Sequence, residues 1–400
     1  MKALRGLLSR ACETGNSPLT IEGIGTSSNI AQVADERPED ILVVASPRTV
    51  QAIPGLAELL GAGSGWHHKV RPNPTSGDAL SLSKAVEQAR PRVIVAVGGG
   101  STIDLAKAGR LISPHEDTVE AALEGRPGFV RTCPPRLIAM PTTAGTGSEM
   151  TPFATIYHHG QKRSLDLAAC RPDIAVLDGE LCMSCPEDVA QAAFLDALCH
   201  AIESCWSRAA SAESIHFAEG AIRALTGSRA RRGVSTSIDV PQAHERLLGA
   251  AVAGVAIGLT RTTAAHAFSY RLTSHHGIPH GFACAFSLEW LVDYNWRLRD
   301  RGDQVVEDRL RWLGCEPSPR PGSAVAIAME VLVDSLNRGL VRPPSFTEHE
   351  LGAYIAEGSS IRARTDNNPI PIEQSELAAS IQESRLLQGS LNTGAYPALT

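Results

Sequence analysis

The chain has 400 residues, of which 43% are hydrophobic and 20% are charged, which is enough for two globular domains with cores of their own. Its formal net charge of −6 argues against nucleic acid as a partner, because proteins that bind a phosphate backbone usually present a basic surface. The longest apolar stretch, residues 247–260, is shorter than a bilayer span, so we expect no membrane partner either.

The cysteine content indicates a reducing compartment. Nine cysteines, an odd number, suit free thiols better than a disulfide framework. Cys182 and Cys185 have CxxC spacing, but a structural zinc site needs a second such pair. The N-terminal segment has no long apolar region of the kind that a secretory signal needs. We therefore expect a cytoplasmic protein.

Four short apolar runs in the first half of the chain predict β-strands. They are residues 41–45, 93–97, 137–140 and 174–177, and helix-length segments separate them. Strands that are apolar throughout are typical of a parallel sheet covered on both faces. This pattern predicts an α/β domain of the nucleotide-binding type.

After Cys185 the sequence changes to long, alanine-rich stretches that suit helices, at residues 186–207, 212–226 and 242–260. Pro186 can occupy a first helical turn. We therefore predict an α/β dinucleotide-binding domain over residues 1–185 and an all-α domain, carrying metal and substrate sites, over residues 186–400.

A glycine turn follows the predicted strand 93–97. Gly98, Gly99, Gly100 and Ser101 lead directly into a predicted helix, so that a diphosphate could approach the backbone and the free amides at the helix N-terminus. The turn matches neither GxGxxG nor a P-loop, and a purely structural turn stays open. Asp104, one turn into this helix, is either a partner of the helix dipole or a contact of the cofactor's reactive ring.

A second loop, residues 142–149, also follows a strand. Thr142, Thr143 and Thr146 supply hydroxyls without charge, which suits ribose and phosphate oxygens. A plain Ser/Thr-rich loop is the alternative.

One carboxylate and three imidazoles form a candidate metal site. Asp196 and His200 are spaced i, i+4, on one face of a helix, and His266 and His280 add two imidazoles. A single histidine is more often an ordinary polar residue, but the combination suits a first-row divalent metal. With oxygen and nitrogen donors and no thiolate, Fe(II), Mn(II) and Zn(II) remain open. The ion would act as a Lewis acid on a carbonyl or alkoxide oxygen.

Four motifs in chain order carry a family resemblance. They are GGGS-x-x-D-x-A-K at 98–107, TTAGTGSE at 142–149, D-A-x-x-H-x-x-E at 196–203 and H-x13-H-G at 266–281. In these motifs the chain resembles the iron-containing (group III) alcohol dehydrogenases. The resemblance implies a dehydroquinate-synthase-like α/β domain followed by a helical domain. It also implies hydride transfer between C4 of a nicotinamide and a metal-polarised carbonyl carbon.

Carried over residue by residue, the resemblance implies a cofactor site and a metal site. The glycine turn would hold the pyrophosphate of NAD(P), Asp104 would approach the nicotinamide and Lys162 would reach the ribose. The implied cofactor residues are Gly98, Gly99, Gly100, Ser101, Asp104, Thr142, Thr143, Thr146 and Lys162, and the implied ligands of Fe(II), with Zn(II) or Mn(II) as alternatives, are Asp196, His200, His266 and His280.

Two departures from the family pattern bear on function. Tyr270 stands where many members have a second histidine; it could donate a hydrogen bond to the substrate or simply pack, so the general acid stays open. Members restricted to NADH usually have an acidic residue after the strand that ends here at Ala45. This chain has Ser46, Pro47 and Arg48 instead, which predicts that NADPH is accepted as well as NADH, unless Arg48 is merely exposed.

Residues 265–281 and 366–369 resemble the branch that contains phosphonoacetaldehyde reductases. The implied reaction reduces phosphonoacetaldehyde to 2-hydroxyethylphosphonate with NAD(P)H. A phosphonate needs cations, for which Arg suits best, and the candidates are Arg163, Arg271, His275 and His276. His276 joins Asp104 and Tyr270 as a candidate catalytic residue.

The alternative is a general short-chain alcohol or aldehyde dehydrogenase of the same family. A dehydroquinate-synthase-like lyase would need a different metal set, and a non-enzymatic relative would be expected to have damaged ligand positions, whereas all four are intact here. Because family members are commonly dimers or larger, we expect a homo-oligomer.

Overall fold

The computed structural model describes residues 1–126, 129–227, 238–384 and 386. Contacts between residues divide the described part of the chain into two compact units. The first unit comprises Met1–Cys185 and Asp239–Gly258, and the second comprises Pro186–Ile238 and Leu259–Thr400.

The first unit is built on a six-stranded parallel sheet, which confirms the predicted α/β layout. The strands are β1 (Leu19–Glu22), β2 (Ile41–Ala45), β3 (Gly65–His67), β4 (Val93–Gly98), β5 (Arg136–Pro141), β6 (Phe153–His158), β7 (Gln161–Asp166) and β8 (Ile174–Leu177). The strand order in the sheet is β1-β8-β5-β4-β2-β3, and every neighbouring pair is parallel. An antiparallel hairpin, β6-β7, lies outside this sheet.

The central strands are apolar throughout because helices cover both faces of the sheet. Along β4, Ile94 and Ala96 pack into one core with Leu105, whereas Val93 and Val95 pack into another core on the opposite face. The helices that begin in this unit are α1 (Lys2–Glu13), α2 (Ile30–Ala34), α3 (Pro47–Ala52), α4 (Pro54–Gly61), α5 (Ser76–Ala89), α6 (Gly100–Leu111), α7 (Glu116–Leu123) and α10 (Val240–Thr260).

Most of helix α10 belongs to the first unit, whereas the predicted domain division placed it in the helical half. Close backbone approach explains the difference: a Cβ added to Gly254 would lie 2.7 Å from the carbonyl oxygen of Gly147. His244, on the same helix, accepts a hydrogen bond at Nδ1 from the Gly179 amide, at 3.2 Å. Both contacts join α10 to loops that follow strands of the sheet.

The regular structure in the described part of the second unit is helical, in agreement with the sequence analysis. The helices are α8 (Glu187–Trp206), α9 (Ala212–Thr226), α11 (Ala264–His276), α12 (His280–Arg297), α13 (Gln304–Leu313), α14 (Ala324–Asn337), α15 (Glu348–Ser360), α16 (Arg362–Thr365) and α17 (Gln374–Gln382). Helix α8 packs against α9 and α12, and α11 packs against α12 and α15. The side chains of Trp206, Phe268, Trp290 and Tyr294 are fully buried among these helices.

Across the residues that the structure describes, no single helix has the length and apolar character needed to cross a membrane. The sharply bent pair α10 and α11 passes that test of length and composition when its two members are taken together.

The close approach of Gly254 to Gly147 predicts that a larger side chain at residue 254 destabilises the fold. We expect Gly254→Ala to lower the free energy of unfolding by about 1–3 kcal/mol, the usual range for overpacking a core, and to lower the midpoint of urea unfolding. The control is Gly258→Ala one turn later, where the added Cβ would meet only Pro152 Cδ, at 3.6 Å. It should be neutral or stabilising, because alanine favours a helix over glycine by about 1 kcal/mol. Equal losses at both positions would contradict the close approach.

Candidate functional site

Two of the three glycines in the first glycine loop, residues 98–101, are required by packing. A Cβ on Gly98 would lie 2.7 Å from Thr102 Cβ, and one on Gly100 would lie 2.6 Å from Thr146 Oγ1. A Cβ on Gly99 would meet Thr143 at 3.4 Å, an ordinary contact distance. Internal packing therefore explains Gly98 and Gly100 but not Gly99, at the N-cap of α6, whose predicted contact with a cofactor stays a prediction.

Helix α6 is fastened to the second loop, residues 142–149, and to the strand after it. Asp104 Oδ1 accepts a hydrogen bond from Ser148 Oγ at 2.5 Å, and Oδ2 accepts one from the Thr155 amide at 2.9 Å. Lys107 Nζ donates to the carbonyl oxygens of Thr151 and Phe153, at 3.0 and 2.8 Å. Burial raises the pKa of Asp104, although Lys107 and Ser148 oppose the rise. Asp104 thus has a structural role, whatever it contributes to cofactor binding.

The second loop contains a buried carboxyl group that the sequence analysis did not single out. Glu149 is 2% exposed, and burial raises its pKa to about 7. The loop is also tied to the first glycine loop, because the Thr142 amide donates to the Gly98 carbonyl oxygen at 3.0 Å. The two loops are therefore in direct contact where they leave β4 and β5.

The remaining predicted cofactor residues lie in the same unit. The Ser46 hydroxyl caps α3 by accepting a hydrogen bond from the Thr49 amide at 3.1 Å. Arg48 is exposed, and its Nη2 lies 3.5 Å from the Ser184 carbonyl oxygen. Lys162 is half-buried on β7, opposite Tyr157 of β6. These placements leave the predicted roles of Ser46, Arg48 and Lys162 as predictions.

The sequence analysis missed one segment beside the first glycine loop. Asn73 has a positive φ of 55°, which is uncommon outside glycine, and its amide donates to Ser101 Oγ at 3.2 Å. The segments after β2, β4 and β5 lie at the carboxyl edge of a parallel sheet, where ligands of such sheets bind. No sequence signal identified Asn73, because Pro74 biases the residue before it toward extended backbone and not toward a positive φ.

In the second unit the structure brings together the four side chains predicted as metal ligands. Asp196 and His200 project from α8, His266 from α11, and His280 is the first residue of α12. The Nε2 atoms of His266, His200 and His280 lie 3.4, 3.6 and 3.9 Å from Asp196 Oδ1. Three imidazoles are thus directed at one carboxylate oxygen.

The cluster fits a divalent cation. Asp196 and His266 are 3% and 4% exposed, and Asp196 Oδ1 and His266 Nε2 make no hydrogen bond within the described part of the chain. Leaving each buried polar atom unpaired costs about 1–3 kcal/mol. A tetrahedral shell with bonds of about 2.0–2.1 Å separates its donors by about 3.3 Å, close to the distances found here. Burial alone would raise the pKa of Asp196, but the neighbouring histidines hold it well below its usual range.

Glu203 orients one of these imidazoles, a role that the sequence analysis did not assign. Its carboxylate is fully buried, accepts hydrogen bonds from the amide and hydroxyl of Thr263, at 2.9 and 2.6 Å, and contacts His266 Nδ1. Trp206 Nε1 in turn donates to Thr263 Oγ1 at 2.9 Å. Because the Glu203 carboxylate accepts a hydrogen bond from Nδ1 of His266, the ring proton stays on Nδ1. The lone pair of Nε2 is then available to a metal. The sequence did contain a signal for this role, because Glu203 follows His200 by one turn of the same helix and so lies on the same face.

Two predicted catalytic residues lie further along α11. Tyr270 follows His266 by one helical turn and is half-buried. His276 follows His266 by ten residues, about 15 Å along the axis at 1.5 Å per residue, and its ring packs edge-on against Phe346 with centroids 5.3 Å apart. Ser269, the residue before Tyr270, contacts His280, with its Oγ 3.4 Å from His280 Nδ1, whereas the length of helix after His266 carries His276 away from the cluster. A catalytic role for either residue stays a prediction.

Comparisons with known proteins identify the family. The chain matches the model of the iron-containing alcohol dehydrogenases over residues 18–179 and that of the C-terminal region of the Fe-containing alcohol dehydrogenase family over residues 190–381. The probable alcohol dehydrogenase EutG of Escherichia coli is 32% identical over 298 residues, which is 72% of this chain and 74% of that protein. The chain belongs to the iron-containing alcohol dehydrogenase family, and the resemblance seen in the sequence is confirmed.

Two further relatives are informative. A phosphonoacetaldehyde reductase of Streptomyces viridochromogenes is 38% identical over 237 residues, which is 56% of this chain and 59% of that protein; the match therefore spans less than two thirds of its length. The crystal structure of a sulfoacetaldehyde reductase from Bifidobacterium kashiwanohense in complex with NAD+ matches with a TM-score of 0.77 at 23% identity, over 92% of this chain and 96% of that one. At this identity the match shows the fold alone.

The contact between Glu203 and His266 predicts a role in metal affinity. We expect Glu203→Gln to weaken binding of a divalent metal by about 10–100-fold, the usual effect of removing such a partner, as measured by competition with a chelator. Glu187→Gln is the matched control, because Glu187 is an exposed carboxylate on the same helix, paired with Arg338 at 2.5 Å. Unchanged affinity in Glu203→Gln would contradict the role assigned to Glu203.

Proposed function

We propose that the chain is a metal-dependent NAD(P)H oxidoreductase that reduces an aldehyde to a primary alcohol. The observation that carries the proposal is the convergence of three imidazole Nε2 atoms on Asp196 Oδ1, in a chain whose other unit carries two loops of the nucleotide-binding type. Membership of the iron-containing alcohol dehydrogenase family supports the same chemistry.

Each unit provides one part of this chemistry. A divalent metal held by Asp196, His200, His266 and His280 would polarise the aldehyde carbonyl, and NAD(P)H would supply the hydride. The overall reaction converts an aldehyde, NAD(P)H and one proton into an alcohol and NAD(P)+. Glu203 holds the His266 ring, while Tyr270, one turn further along α11, is the candidate hydrogen-bond donor to the substrate.

For the substrate we propose phosphonoacetaldehyde. Similarity to the phosphonoacetaldehyde reductase of S. viridochromogenes supports this choice. A phosphonate group needs cationic donors close to the metal-bound carbonyl. The predicted candidate His276 lines a cavity of about 450 Å³ with Arg342, but burial lowers the pKa of its imidazole, and it lies about 15 Å along α11 from His266, which is too far for the phosphonate of so small a substrate.

Other predicted cations are less available for a substrate. Arg271 forms an ion pair with Glu357 at 2.5 Å, and Arg163, on β7 of the first unit, donates to Gln161. Asn367, in the motif at residues 366–369, donates to the carbonyl oxygens of Thr260 and Thr262, at 2.9 and 3.2 Å. Asn367 therefore has a structural role, and its motif does not supply a cation to the substrate. A general short-chain dehydrogenase remains the second candidate, on the basis of its likeness to EutG.

The first test compares substrates in the metal-reconstituted protein, with turnover followed by NAD(P)H absorbance. We expect kcat/KM for phosphonoacetaldehyde to exceed that for propanal, a neutral control, by 100-fold or more, about 2.7 kcal/mol of transition-state stabilisation. Comparable values would make the general dehydrogenase correct. Absence of turnover with every aldehyde would contradict the proposed class of reaction.

For the cofactor we propose that NADPH is accepted as well as NADH. Arg48 follows β2 at the carboxyl edge of the sheet, and it forms no ion pair with any carboxylate in the part of the chain described. A cation placed there can pair with a 2′-phosphate.

Reversing this charge tests the assignment. We expect Arg48→Asp to lower kcat/KM for NADPH by about 10–100-fold, equivalent to one charged hydrogen bond of about 1.5–3 kcal/mol, and to spare NADH. Arg10→Asp, an exposed charge reversal on α1 of the same unit, should change neither value. Unchanged NADPH kinetics in Arg48→Asp would remove Arg48 from the cofactor site.

The homo-oligomer, the cytoplasmic location and the absence of nucleic-acid and membrane partners stay predictions. Size-exclusion chromatography with light scattering tests the first of them directly.

A further inference from the structure

A cysteine lies within the cluster of predicted metal ligands. Cys284 follows His280 by one turn of α12, and its Sγ lies 3.8 Å from both ring nitrogens of His280. One donor atom from each of Asp196, His266, His280 and Cys284 lies within 4.8 Å of all the others. The sulfur therefore lies within the same cluster as three of the predicted ligands.

The surroundings of this sulfur differ from those of an ordinary buried cysteine. A buried cysteine usually fills apolar space as a small hydrophobic side chain. Cys284 is fully buried, but it faces Asp196 and His266, whose Oδ1 and Nε2 atoms make no hydrogen bond within the described residues. Two buried polar atoms directed at the same point as a thiol sulfur indicate a shared ligand.

We propose that Cys284 is a ligand of the metal centre, so that the donor set combines carboxylate, imidazole and thiolate. The sequence analysis expected oxygen and nitrogen donors alone. When the sulfur–metal bond forms, the thiol proton leaves to solvent. The inference rests on the metal site of the proposed function and adds a consequence to it: a thiolate donor favours Zn(II) and Co(II) over Mn(II).

Cobalt substitution tests this inference without reference to turnover. The metal-free chain is reconstituted with Co(II), bound cobalt is counted by elemental analysis, and the near-ultraviolet spectrum is searched for a thiolate-to-cobalt charge-transfer band. We expect the band in the parent chain and its complete loss in Cys284→Ser. The matched control is Cys205→Ser, which alters another buried cysteine on α8, the helix of Asp196, and should keep the band.

X-ray absorption of the zinc-loaded parent chain provides a second measurement if Cys284→Ser fails to fold. We expect one sulfur scatterer at about 2.3 Å in addition to nitrogen and oxygen scatterers at about 2.0–2.2 Å. A shell of nitrogen and oxygen alone, or a charge-transfer band that persists in Cys284→Ser, would overturn the inference and leave the metal site standing. A chain that binds neither cobalt nor zinc would contradict the proposed function as well.

Discussion

The convergence of a carboxylate and three imidazoles on one buried point is the constraint on which the rest of this account depends. The distances of 3.4–3.9 Å between the three Nε2 atoms and Asp196 Oδ1 place lone pairs opposite one another in an interior of low dielectric. Such an arrangement is costly unless a cation or a proton lies between the groups. Helices α8, α11 and α12 maintain it through their own packing, and the Glu203–Thr263 contacts fix the ring of His266.

In the first unit, the loops at residues 98–101 and 142–149 are held close together by packing between their own residues. Gly98 and Gly100 are small because Thr102 and Thr146 occupy the space that a side chain would need. Asp104 then binds the second loop to α6 through Ser148, and Lys107 binds the start of β6 to the same helix. The glycines thus serve loop packing first, and this packing builds the surface on which we propose that a dinucleotide binds.

The parts of the structure that could be predicted follow from local patterns. The apolar runs at residues 41–45, 93–97, 137–140 and 174–177 became strands because burial on both faces requires apolar residues at every position. The i, i+4 spacing placed Asp196 and His200 on one helical face, and the family motifs pointed to the other two histidines.

Other features depend on contacts between distant segments. The approach of Gly254 to Gly147, which joins most of α10 to the first unit, has no local signature, since a glycine within a helical pattern looks the same wherever it packs. Cys284 lies beside the ligands only because α12 begins at His280, a boundary that the pattern did not define. For the same reason, the distance of His276 from the cluster could not be inferred from its closeness in sequence to His280.

The most direct test of the central claim is a crystal structure of the Fe(II)-reconstituted chain with anomalous diffraction data collected at the iron edge. The account predicts one metal peak per chain, bonded to Asp196 and to the Nε2 atoms of His200, His266 and His280. A chain whose anomalous map shows iron elsewhere, or no ordered iron among these side chains, would contradict it.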